Sequence, residues 1–151
     1  MVKNNSNINT KDKKKVNSRQ ESEIKTNTFI FPDGSTYEGD YKESENGKIV
    51  RSGHGKFVSL ANQSTYEGEW VNDEICGKGK IEYANGNSYE GDWLNNQYNG
   101  TGTYKWSDGS YYVGEWLENK MNGPGKYYDK NKEVWTGLFI DGKSDSLVNE
   151  I

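Results

Sequence analysis

YEGDWLNNQYNGTGTYKWSDGSY, Tyr89–Tyr111, runs without a gap into YVGEW at Tyr112–Trp116, and the same aromatic-x-Gly opening recurs at Tyr37, Tyr66 and Trp135. The intervals 66 to 89, 89 to 112 and 112 to 135 are 23 residues each, and the first, 37 to 66, is 29. A fixed period of this size marks an array of identical supersecondary units. Six extra residues sit in the first unit, most of them in KESENGKIVRS between Tyr41 and Gly53.

Inside one unit the pattern has period 2. Tyr66, Gly68 and Trp70 fall on one face and Glu67 and Glu69 on the other, which predicts a half-buried strand. After a short polar loop, Val71 to Cys76, the run Gly77, Gly79, Ile81, Tyr83 alternates with Lys78, Lys80 and Glu82, a second strand. Each unit is therefore a hairpin. Asp73, Asn96, Asn119 and Gly142 share one loop position, where residues tolerant of left-handed backbone are needed. Between units, Asn85-Gly86 and Asp108-Gly109 predict tight turns.

Glycine inside a strand costs roughly 0.5 to 1 kcal/mol against alanine, so its return in every first strand needs a compensating gain. The bare backbone at Gly68, Gly91 and Gly114 offers a slot over which a neighbouring Tyr or Trp ring can lie flat. Upstream, FIFPDGST matches the tail of a unit and starts the array with half a repeat near Thr28.

These residues resemble the MORN repeat (membrane occupation and recognition nexus), with its Y-x-G-x-W opening, G-K, and G-x-G before an aromatic. The likeness runs from Thr28 to about Lys143, with Gln63 standing where a turn glycine is expected. It implies an all-β fold, an elongated single-layer twisted antiparallel sheet of tandem hairpins, in proteins that organise membrane-associated or cytoskeletal structures. About ten strands at roughly 4.8 Å give a rod of the order of 45 Å. The predicted organisation is a disordered basic tail at 1–27, the array at 28–143 with units opening at 37, 66, 89, 112 and 135, and a C-terminal cap or tail at 144–151.

The chemistry this sequence excludes is broad. No run of about 20 apolar residues spans a bilayer and no apolar segment follows Met1, which predicts a cytoplasmic protein, peripheral to a membrane or the cytoskeleton. Cys76 is the only cysteine and His54 the only histidine, so neither a disulfide nor a catalytic or metal-binding set is expected, and no cofactor. No phosphate-loop string occurs. The pairs Glu38/Asp40, Glu67/Glu69 and Glu90/Asp92 read as a solvated face with Lys78 and Lys80 as cross-strand partners. An enzyme is not expected.

What remains is binding. A single-layer sheet has no second layer to cover its aromatic stripe, so Tyr66, Trp70, Tyr89, Trp93, Tyr112, Trp116 and Trp135 are the predicted contacts for a helix or peptide of a protein partner. Val113, Thr136 and Leu138 replace outward acids and Leu147, Val148 and Ile151 end the chain, a patch for capping the last strand or for a homodimer. Residues 1–27 carry seven basic and three acidic side chains, and residues 28–151 twelve and twenty, that is +4 and −8. The alternative is therefore a phospholipid-binding module in which Lys11, Lys13, Lys14, Lys15 and Arg19 make a weak contact with an anionic membrane. The acidic array argues against nucleic acid.

Overall fold

The computed structural model describes residues 23–150. Eleven strands form one open antiparallel sheet in sequence order, and no helix occurs among the described residues. They are β1 (Lys25–Ile30), β2 (Thr36–Glu43), β3 (Ile49–Ser59), β4 (Ser64–Val71), β5 (Glu74–Glu82), β6 (Ser88–Leu94), β7 (Gln97–Lys105), β8 (Tyr111–Leu117), β9 (Lys120–Tyr128), β10 (Val134–Ile140) and β11 (Lys143–Glu150). The meander of hairpins expected from the 23-residue period is this sheet.

Two strand boundaries differ from the sequence reading. Residues 25–27 open β1, pairing Lys25 with Tyr41, rather than belonging to the tail. Residues 143–150, read as the array's last residue and the cap, pair with β10 as a full strand, which raises the count from ten to eleven. Both segments are polar, and their ladder bonds to a neighbour already in the sheet outweigh their weak apolar pattern. Lys11, Lys13, Lys14, Lys15 and Arg19 lie outside the described residues.

The loops within units are shorter than Val71 to Cys76. Val71 pairs directly with Glu74, leaving Asn72 (φ 52°) and Asp73 (φ 69°) as a two-residue turn, and Asn95-Asn96, Glu118-Asn119 and Asp141-Gly142 repeat it. Two consecutive left-handed residues match the right-handed twist of the strands they join. The turns also stitch units together. The side-chain oxygens of Asp73, Asn96 and Asn119 accept the backbone N–H of Arg51, Ile75 and Tyr98 in the preceding hairpin, at 2.9, 2.8 and 2.9 Å.

The connections between units are longer than tight dipeptide turns. Asn85 is not left-handed; Gly86 alone is, at φ 84°, with its N–H on the Tyr83 carbonyl. Gly109 and Trp106 repeat this, and Gln63 (φ 49°) and Lys132 (φ 72°) take the same backbone in the glycine's place.

Candidate functional site

Pairing aligns one glycine per strand into a row of nine that crosses the sheet: Gly39, Gly55, Gly68, Gly79, Gly91, Gly102, Gly114, Gly125 and Gly137. Four tyrosines lie over this bare backbone. A side chain at Gly79 would strike the Tyr66 ring, one at Gly102 the Tyr89 ring, one at Gly55 the Tyr37 ring and one at Gly125 the Tyr112 ring. Each ring thus fills the slot of its own hairpin. Its hydroxyl donates to the carbonyl three residues on: Tyr37 to Asp40 (2.6 Å), Tyr66 to Glu69 (3.0 Å), Tyr89 to Asp92 (2.8 Å) and Tyr112 to Glu115 (3.1 Å).

The tryptophans lock these rings edge-on. Trp93 meets Tyr66 of the previous unit and Tyr89 of its own, both at 5.3 Å, and donates its indole N–H to the Gly79 carbonyl at 3.0 Å. Trp70 and Trp116 do the same with the Gly55 and Gly102 carbonyls. Phe139 ends the series against Tyr112 at 4.8 Å. Edge-to-face pairs of this kind add about 0.5 to 1.5 kcal/mol each beyond area burial.

This packing buries most of the predicted partner-binding residues. Tyr66, Trp70, Tyr89, Trp93, Tyr112 and Trp116 keep between 0 and 7% of their surface, and only Trp135 is half-buried. A single layer builds its own core, because each ring sinks to backbone depth and is walled by rings of two units. What a partner can reach on this face is the opposing strand of each hairpin. Phe57, Ile81, Tyr104 and Tyr127 stand directly across from the buried tyrosines and are half-buried, and Tyr83 and Trp106 continue the surface. Tyr104 tilts against Trp106 at 5.0 Å, and Trp106 meets Tyr127 at 5.8 Å. A depression of about 370 Å³ opens there between Tyr104, Trp106, Trp116, Lys120 and Met121.

At the first unit this surface carries a charge. Arg51 occupies the place that Ile75, Tyr98 and Met121 hold in later units, stacked over Trp70 at 4.1 Å and bonded to Asp73 at 3.1 Å. The buried phenols have raised pKa values, chiefly because burial disfavours the phenolate. Tyr37 and Tyr112 are pushed up to about 12, and Tyr66, Tyr89 and Tyr98 higher still.

The opposite face carries the charges, but part of it is structural. The carboxylates of Asp40, Glu69 and Asp92 accept the backbone N–H of His54, Lys78 and Thr101, which follow the left-handed glycines Gly53, Gly77 and Gly100. Lys78 reaches Asp92 at 2.5 Å as a cross-strand pair, whereas Lys80 bonds Glu82 of its own strand at 2.6 Å. A shallow groove of about 750 Å³ follows the glycine row there, with His54, Glu67, Lys80 and Glu90 on its rims. Among the described residues no three His, Cys, Asp or Glu side chains converge as metal ligands.

Slots of paired glycines, each filled by the tyrosine of its own hairpin and recurring every 23 residues, define a tandem β-hairpin repeat. Residues 66–88, 89–111 and 112–134 match the MORN repeat, so the chain contains three consecutive MORN units. Protein TIC 100 of Arabidopsis thaliana is 34% identical over 55 residues, 36% of this chain and 6% of that protein, so the chain spans only a small part of its relative. Among solved structures, the SAS-4 (dCPAP) TCP domain of Drosophila melanogaster, in complex with a proline-rich motif of Ana2, is similar at 15% identity. Its TM-score is 0.41 over 74% of this chain and 64% of that one.

Proposed function

We infer that the array is a non-catalytic scaffold that binds a helix or extended peptide of a partner protein on its aromatic face, at a membrane or cytoskeletal structure. One observation carries this reading: the half-buried surface of Phe57, Ile81, Tyr104 and Tyr127 continues from repeat to repeat, and among the described residues no second layer lies over it. Aromatic surface of that extent is where binding energy concentrates in protein interfaces. MORN repeats are interaction modules, which supports the class of function and the membrane or cytoskeletal setting.

The test uses rim residues, because Trp93→Ala or Trp116→Ala would empty the core. Affinity purification with wild type and with Tyr104→Ala/Trp106→Ala is expected to lose a specific partner in the variant, at a temperature below its lowered melting point where circular dichroism shows the sheet still folded. Equal recovery by both removes the aromatic face as the binding surface. The second reading, phospholipid contact through Lys11, Lys13, Lys14, Lys15 and Arg19, rests on the separation of +4 in residues 1–27 from −8 in the rest. Pelleting with acidic liposomes, with and without residues 1–22, decides it; indifference of the full chain at low salt ends it.

A further inference from the structure

The face opposite the aromatic layer holds a second regular feature. In the four units that open at Tyr66, Tyr89, Tyr112 and Trp135, the first strand ends in an aliphatic residue immediately after its tryptophan or phenylalanine: Val71, Leu94, Leu117 and Ile140. Each has the same place, last in its strand and next to a two-residue turn. All four are about half exposed, at 51, 50, 49 and 53%. Alternation fixes their direction, since Trp70, Trp93, Trp116 and Phe139 point into the aromatic layer. The core does not use them.

Neighbouring members are two strands apart, about 9.6 Å at ordinary strand spacing. Acids line the stripe. Glu69, Asp92 and Glu115 stand two residues earlier on the same face, and Glu74, Glu118 and Asp141 lie in or beside the turns. Lys78, Lys120 and Lys143 are the bases nearby, and two of them are already paired, with Asp92 and Asp141. Six acids against three bases leave the stripe in a negative border, on an array that itself carries −8.

We propose that Val71, Leu94, Leu117 and Ile140 form a second docking surface, whose ligand is a basic amphipathic α-helix of a partner protein lying across the strands. A helix repeats one face every seven residues, about 10.5 Å, so heptad-spaced apolar residues meet one aliphatic side chain per repeat to within about 1 Å per step. Lysines or arginines beside that stripe face the acidic border and give the charge complementarity. A second copy of this chain fits poorly, since it would bring the same acids together. The chain's own residues 1–22 are basic but hold only Met1, Val2, Ile8 and Val16 as apolar residues, too few for a continuous apolar helical face opposite four aliphatic side chains.

The probe is a labelled three-heptad helical peptide with leucine at heptad positions and lysine beside them, followed by fluorescence anisotropy against the full chain. A scrambled peptide of the same composition is the comparison. Expected are tighter binding of the patterned peptide, weakening with salt, and a loss of about tenfold or more in Leu94→Thr/Leu117→Thr, which keeps β-forming residues at both sites. Unchanged tryptophan fluorescence and melting of that variant separate lost binding from lost fold. Equal affinity for both peptides, or for wild type and variant, overturns the proposal. So does a dimer in sedimentation velocity that Leu94→Thr/Leu117→Thr dissolves, or a gain of about tenfold in peptide affinity on deleting residues 1–22, since each names a different occupant.

Discussion

The hairpins that open at Tyr37, Tyr66, Tyr89 and Tyr112 and the one that opens at Trp135 start from the same aromatic-x-Gly pattern and are held together differently. In the first four, a phenol ring lies over glycines of both strands and its hydroxyl reaches the carbonyl three residues on. In the last, Gly137 faces Leu147 instead of a glycine, and the Ser146 carbonyl and the Leu147 side chain crowd its slot. Trp135 stays half-buried. That hairpin is tied at its far end by Glu150, which accepts from Lys126 at 2.8 Å and from Thr136. The slot therefore needs three things at once, a glycine on each strand and a phenol; a single glycine does not make one.

Alkali should expose this difference most. An unfolded tyrosine ionises near pH 10, whereas Tyr37 and Tyr112 hold their protons to about 12. Between those values the unfolded chain binds fewer protons than the folded one, so stability falls as pH rises. The loss is about 1.4 kcal/mol per pH unit for each ring and of the order of 5 kcal/mol for the two at pH 12. Urea unfolding between pH 9 and 11.5 should show this decline. Tyr112→Phe should flatten the slope and Trp135→Phe should leave it unchanged. A stability that stays level over this range would show that the phenols are not sealed in their slots.

Glycine substitutions come next. Ala at Gly102 would place its methyl against the Tyr89 ring, which backbone and Trp93 prevent from moving, and expelling the ring should cost about 3 kcal/mol. Ala at Gly109 meets nothing within 4 Å and suffers only its left-handed backbone, φ 88°, worth about 1 kcal/mol. Melting of the two variants should differ in that order. Equal effects would mean that the row of nine serves the backbone and not the rings.

The acids that brace the strand irregularities give a smaller contrast. The Asp92 carboxylate accepts from the Thr101 N–H and hydroxyl at 2.9 and 2.8 Å. Burial alone would raise its pKa, but the bonds from Lys78 and Thr101 outweigh that and hold it below the ordinary value. Its contribution is present at neutral pH and fades as pH falls through the carboxylate range. Glu115 holds the same place in the irregular stretch between the Gly114–Gly125 and Trp116–Met121 pairs, where Pro124 has no N–H to give. Asp92→Ala should cost about 1 to 1.5 kcal/mol in urea unfolding at pH 7, and Glu115→Ala close to none.

Much of this was legible in the residues. The 23-residue period, the period-2 strands, the left-handed position shared by Asp73, Asn96, Asn119 and Gly142, and the slot over Gly68, Gly91 and Gly114 all follow from local pattern. The depth of the rings does not. Alternation tells which face Tyr66 takes, but its burial depends on Gly79 and Trp93 in other strands, a relation that only register reveals. For the same reason the accessible surface moved to Phe57, Ile81, Tyr104 and Tyr127, and the duty of Asp40, Glu69 and Asp92 toward backbone N–H groups across the sheet stayed hidden. Val71, Leu94, Leu117 and Ile140 could have been found, since each follows the Trp or Phe of its unit at the 23-residue period; with Val71 read as the start of a polar loop, their shared face stayed hidden.

The smallest effect concerns the loops between units, where Gly109 and Lys132 hold one position 23 residues apart. Lys132 is exposed and adopts φ 72°, with the Asp129 carboxylate accepting the N–H groups of Asn131 and Glu133 around it. A left-handed conformation costs a residue with a Cβ roughly 1 to 2 kcal/mol, and the extra unfolded-state freedom of glycine offsets about half of that. Lys132→Gly should therefore raise stability by about 0.5 kcal/mol, opposite in sign to Gly109→Ala, and a shift of a degree or two in melting temperature would register it. A loss of stability in both variants would mean that this loop is governed by the Asp129 hydrogen bonds and not by backbone strain, so that the last unit departs from its neighbours in its connection as well as in its slot.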